Sequence, residues 1–67
     1  MTITLNNRTE TFQTSPMSIA QIIEEKNYRF RMLVVKLNGR IISGDDYPRT
    51  MVHNGDRLDI IHLVSGG

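Results

Sequence analysis

The sequence predicts an α+β domain, a mixed sheet of four or five strands wrapped on one helix. Three observations carry this. The chain opens with apolar and polar residues in alternation, changes to helical spacing at Ile19, Ile22, Ile23 and Lys26, and returns to alternation from Leu33 onward. Asn38-Gly39 stands between two apolar runs, a short-range hairpin signature. At 67 residues with 39% hydrophobic content there is material for one core and one domain.

The elements follow in order. Residues 1 to 13, MTITLNNRTETFQ, place Met1, Ile3 and Leu5 in alternation, then Asn6-Asn7 as turn residues, then a second β-prone stretch ending at Phe12. This is an opening hairpin. In SPMSIAQIIEEKN, Ser18 is an N-cap whose capping box is completed by Gln21, and Met17 and Ile22 can form a hydrophobic staple. The helix should end near Asn27, which tolerates the left-handed conformation of a helix terminus.

LVVKLNGRII from 33 to 42 reads as a second hairpin turning at Asn38-Gly39. SGDDYPRT from 43 to 50 is a loop with room for one helical turn, HNGD from 53 to 56 is a turn, and RLDIIHLV from 57 to 64 is the last strand. The expected order is β-β-α-β-β-β, with Ile3, Leu5, Ile19, Ile22, Ile23, Val35, Leu37, Leu58 and Ile60 as the core. The helix makes the connection a crossover, so the first and last strands can pair in parallel in mid-sheet. Residues 1–64 form the domain and 65–67 a flexible tail.

Composition excludes several classes of function. Eight Lys and Arg against seven Asp and Glu leave a formal charge of +1, too balanced to call for a nucleic-acid or membrane-surface partner. No cysteine is present, which removes disulfides, thiolate metal sites and a Cys nucleophile, and fits a reducing cytoplasm. The longest apolar run, Met32 to Val35, is far short of a bilayer span, so a soluble cytoplasmic protein, monomeric when free, is expected.

Catalytic and metal chemistry finds little support. His53 falls in a turn and His62 at the end of a strand, in phase with Leu58 and Ile60, which predicts a half-buried rim position; no third ligand recurs at a metal-binding spacing. Asp45-Asp46 lies in a polar loop, where paired carboxylates are solvated. No serine has a nucleophile-elbow context, and the glycines form no phosphate loop. YRFRM at 28 to 32 reads as a helix-to-strand connector that puts aromatics at the core margin, rather than as a base-stacking platform. No catalytic residue is assigned, and the protein is read as a non-enzyme.

The last strand and tail are the exception. With Leu58 and Ile60 facing the core, period two turns Asp59, Ile61 and Leu63 to the other face. Ile61 and Leu63 then either lie in a strand buried on both sides or form a docking patch. Beyond them, Ser65, Gly66 and Gly67 have almost no side-chain bulk and reach about 10 Å when extended. Such an arm can thread a narrow channel and present its carboxylate inside another protein, although Gly-Gly at an end is also what a frayed terminus would show.

LNGRII at 37 to 42, followed by NGDRLDIIHLVSGG at 54 to 67, resembles the ThiS family of sulfur carrier proteins, related to MoaD and to ubiquitin in the β-grasp fold. The resemblance spans essentially the whole sequence and rests on Asn38-Gly39, the Gly55-Asp56 turn and the terminal Gly66-Gly67. Ser43-Gly44 stands where the family often has a Pro-Arg pair. No aromatic-proline stretch precedes the tail, which separates this sequence from proteins like MoaD.

The resemblance implies a mechanism. A carboxylate with a pKa of about 3.3–3.7 is anionic and a poor electrophile at neutral pH. In the family, an adenylyltransferase similar to ubiquitin-activating enzymes uses ATP and Mg to adenylate the terminal glycine, and a persulfide donor converts it to a thiocarboxylate whose sulfur goes to thiazole synthase for thiamin. By this resemblance Gly67 carries the sulfur, Ser65 and Gly66 thread the partner's active site, Ile61 and Leu63 dock, and no cofactor is bound by the protein itself. Carriers for molybdopterin, cysteine or methionine synthesis, and a ubiquitin-like tagging or interaction module, are the alternatives.

Overall fold

Asparagine sets the first turn. β1 (Thr2–Leu5) and β2 (Arg8–Thr11) pair antiparallel, joined by Asn6 and Asn7 at φ of 51° and 66°. Two successive left-handed residues give the turn a twist that matches the strands it joins, and asparagine enters that region more readily than other side chains. The computed structural model describes residues 1–29 and 32–63. Ile3 and Leu5 face the core while Thr2 and Thr4 take the opposite face, opposite Thr11 and Thr9.

α1 (Ile19–Glu25) begins as the sequence predicts. Ser18 Oγ accepts from the Gln21 backbone N–H at 3.0 Å and Gln21 Oε1 accepts from the Ser18 N–H at 2.8 Å, a complete capping box. The N–H groups of Ile19 and Ala20 donate to the carbonyls of Thr50 and Tyr47, both at 3.0 Å, so the loop after the second hairpin closes over the helix start. At the other end Asn27 takes φ 59°, its N–H donates to Glu24 O, and the Tyr28 N–H donates to Ile23 O. Those two bonds are a Schellman ending, and they stop the helix after two turns.

β4 (Leu33–Leu37) and β5 (Arg40–Ile42) form the second hairpin through Asn38 and Gly39, at φ 52° and 84°. A single 3-10 turn spans Gly44–Asp46, and β7 (Arg57–His62) completes the main sheet in the order β2-β1-β7-β4-β5. β1 and β7 run parallel in mid-sheet, as the crossover requires. β7 also pairs antiparallel with β4 over most of its length, from Leu33 opposite His62 to Leu37 opposite Leu58. A helix laid across a mixed sheet whose first and last strands are central parallel neighbours is the β-grasp architecture.

Several expectations need correction. β3 (Met17–Ser18) and β6 (Met51–Val52) pair antiparallel as a second small sheet. Two-residue strands are too short to show a period. They bring Met17 and Val52 into the core, where Phe12 joins them beside Ile3, Leu5, Ile19, Ile22, Val35, Leu58 and Ile60. Ile23 and Leu37, expected inside, are only partly buried at its margin. The last strand ends at His62, with Leu63 beyond it and Val64 outside the described residues, and His62 is exposed rather than half-buried. Its phase is that of Leu58 and Ile60, and its cross-strand partner Leu33 packs at the core margin, but His62 is the last residue of the strand, where alternation alone does not fix burial.

Candidate functional site

The sheet has one face under the helix and one face bare. On the bare face, cross-strand partners share a side, so the registers Val34 with Ile61, Lys36 with Asp59 and Lys36 with Ile41 place these residues together. Leu63 continues the row, because its N–H donates to Met32 O at 3.0 Å just beyond the last paired residues. Ile61 and Leu63 are 45% and 44% exposed, and Met32 and Ile41 more so. The strand is therefore not buried on both sides. Its outer row meets water.

This face is divided. Over β2 and β1 it carries Thr2, Thr4, Thr9 and Thr11, with the hydroxyls of Thr2 and Thr11 3.2 Å apart. Over β7, β4 and β5 it carries an apolar strip of Met32, Val34, Ile41, Ile61 and Leu63. Sequence reading named only Ile61 and Leu63. The others follow from the same period-two rule applied to the second hairpin, where Val34 and Ile41 hold the phase opposite to Val35 and Ile42.

Charges close the lower end of the strip. Arg57 Nη2 donates to Asn7 Oδ1 at 2.7 Å, and its Nε lies 3.4 Å from Asp59 Oδ2, so the guanidinium is held between the first turn and β7 rather than free in solvent. Lys36 sits opposite Asp59. An open hollow of 380 Å³ lies between the first turn and these side chains. The strip thus runs from a polar, fixed end at Arg57 to an apolar end at Leu63, toward the last residues of the sequence.

The other candidates are placed plainly. His53 and Asp45 are exposed, and Asp46 pairs with Arg49 at 3.3 Å, so the two adjacent carboxylates serve a loop. Tyr28 packs at the core margin; Phe30 and Arg31 lie outside the described residues. Among the described residues no three of His, Cys, Asp and Glu are grouped so as to hold a metal ion, and no helix is long and apolar enough to cross a membrane. Ser65, Gly66 and Gly67, the predicted arm, also lie outside the described residues, as does Val64.

Two solved structures are similar in fold. A crystal structure of a thiamine biosynthesis protein (ThiS) from Geobacter metallireducens matches with a TM-score of 0.89 at 20% identity, covering 100% of both chains. A solution structure of a thiamine biosynthesis protein from the same organism matches at 0.80 and 20% identity, covering all of this chain and 88% of that one. No curated protein matches the sequence. The family model for ThiS matches residues 2–67, which takes in both hairpins, the apolar strip of β7 and the two terminal glycines, so the chain belongs to the ThiS family.

Proposed function

We propose that this protein is a sulfur carrier in thiamin biosynthesis, and that its reacting group is the carboxylate of Gly67. The observation that carries the reading is the extent of the family match, which runs through Gly66 and Gly67. The bare apolar strip on β7 supports it, since it gives a partner a surface to hold immediately before the arm. The Geobacter protein similar in fold bears the same pathway in its name.

The chemistry is set by what a carboxylate lacks. It resists nucleophiles, so a partner adenylyltransferase joins it to AMP at the expense of Mg-ATP, releasing pyrophosphate. The outer sulfur of a persulfide attacks the acyl carbon and AMP leaves; a thiol then cleaves the resulting acyl disulfide, freeing the thiocarboxylate. Thiazole synthase accepts that sulfur. Each step needs groups the carrier does not supply, and in this reading the carrier is not an enzyme. Its part is to dock through Ile61 and Leu63 and to feed Ser65, Gly66 and Gly67 into active sites too narrow for larger side chains.

Incubation with a ThiS-activating adenylyltransferase, Mg-ATP and a persulfide donor tests the proposal. Intact-mass spectrometry should show oxygen replaced by sulfur, and the change should map to Gly67. An enzyme active on its own carrier that leaves the mass of this protein unchanged would overturn it.

A further inference from the structure

Two Asn-Gly steps occur in the sequence, Asn38-Gly39 and Asn54-Gly55, both exposed. Glycine leaves the following amide nitrogen open to approach the asparagine side chain, so both are chemically suited to deamidation. Their surroundings differ. At the first step Asn38 Oδ1 accepts from the Arg57 N–H at 2.8 Å, and its Nδ2 donates to Asp56 Oδ1 at 3.2 Å. The carboxamide is therefore pinned at both ends to the start of β7, which is hydrogen-bonded on both sides in mid-sheet.

At the second step one residue does all the holding. Thr2 donates its N–H to Asn54 Oδ1 at 2.8 Å and accepts the Gly55 N–H on its own carbonyl, also at 2.8 Å. The Asn54 amide nitrogen, which must leave, has no partner among the described residues. Thr2 is the first residue of β1 and makes the outermost rung between β1 and the approach to β7, the part of a ladder that opens most cheaply. When that rung opens, electrophile and nucleophile are released together.

We propose that Asn54-Gly55 is a spontaneous modification site gated by Thr2, and the first of the two steps to react. The Gly55 nitrogen, having given its proton to solvent base, attacks Asn54 Cγ. A bond forms between that nitrogen and Cγ, the bond from Cγ to Nδ2 breaks, and ammonia leaves with a proton from water. Water then opens the cyclic imide at either carbonyl, giving aspartate or isoaspartate. The formal charge falls from +1 to zero. Isoaspartate adds a backbone atom inside the turn closed by the Asp56 N–H on His53 O, and sets a carboxylate near that of Asp56, which the His53 N–H holds at 2.8 Å. The product should seat β7 less firmly.

The test is peptide mapping of the full-length protein aged in mildly alkaline buffer, with protein unfolded in urea as reference. In urea both steps should convert at similar rates. In the folded protein Asn54 should convert several-fold faster than Asn38. Thr2→Pro removes the N–H that holds Asn54 at a strand-start position where proline is tolerated, and should raise conversion at Asn54 alone. A variant that failed to fold would accelerate both sites together, and the wild-type ratio would then decide. Equal or faster reaction at Asn38 in the folded wild type overturns the proposal, as does an unreactive Asn54 over the time in which the unfolded protein converts.

Discussion

Asn6 Oδ1 accepts the backbone N–H of Ile60 at 2.7 Å, one rung beyond the point where β1 stops. The Asn6 N–H already donates to Leu58 O at 3.0 Å. One residue in the first turn thus extends the parallel ladder along β7, and at the other end Asn54 takes the Thr2 N–H. Carboxamide oxygens stand in for a strand that has run out. They satisfy backbone donors that would otherwise lack a partner where the ladder ends.

Replacing Asn6 by glycine keeps the φ of 51° accessible but leaves the part-buried Ile60 N–H without an acceptor, at an expected loss of about 1–3 kcal/mol. Asn6→Ala adds the cost of a left-handed backbone for a residue with a Cβ, about 1–2 kcal/mol more. Asn6→Asp retains the acceptor and should lose less than either. Urea midpoints for the three variants check the order; alanine no worse than glycine would remove the backbone part of the account.

Much of this was legible before the structure. The capping box at Ser18 and Gln21, the left-handed Asn27 and the Asn38-Gly39 turn are local, and local chemistry is written in neighbouring residues. The outward phase of Ile61 and Leu63 follows from period two alone. What was not legible lies where alternation alone does not fix burial. The inward phase of His62 was visible, but not its exposure at the last position of β7. Nor could residues 17 and 52 reveal their pairing, since two residues have no period.

Phe12 tests the part of the core that sequence reading left out. It closes the first hairpin, with its N–H donating to Met1 O at 2.8 Å, and it is only 7% exposed. Phe12→Ala should cost about 3–5 kcal/mol. Against a total stability of about 5–15 kcal/mol, in a protein of a size that sits low in that range, this brings the fold close to unfolding at ambient temperature. Far-UV circular dichroism against temperature checks it; a melting point within a few degrees of wild type would mean that the ring contributes little to the fold.

Lys26 Nζ lies 2.5 Å from Glu10 Oε1, joining the helix end to β2 with both side chains about two-thirds buried. The hydrogen bond from this ammonium to Glu10, with the carboxylate's charge, holds the Lys26 pKa above its ordinary value of 10.5. A raised lysine pKa means that the folded state holds its proton more tightly, so the stabilisation is full below the unfolded value and is lost as pH rises through the folded one. Wild type should therefore exceed Lys26→Met by about 0.2–1 kcal/mol at neutral pH, and the gap should close in strongly alkaline buffer. A gap that stays constant through that range would assign it to packing of the lysine stem instead.

The docking role proposed for the sheet face can be separated from stability. Ile61 is 45% exposed and its side chain adds nothing to the buried core, so Ile61→Ser should change unfolding free energy by only about 0.5–1 kcal/mol. If a partner covers it, the same substitution removes apolar burial of about 1.5–3 kcal/mol from the complex, roughly a ten- to hundredfold loss in kcat/KM for thiocarboxylate formation. Thr9→Ala, on the threonine half of the same face, supplies the contrast, since it removes an exposed side chain from the edge strand and should leave activation unchanged. Rates measured at saturating ATP and donor, with carrier varied, decide between them. A loss at Thr9 equal to that at Ile61 would move the contact off β7 and spread it across the sheet; a loss at neither would mean that the arm alone is recognised.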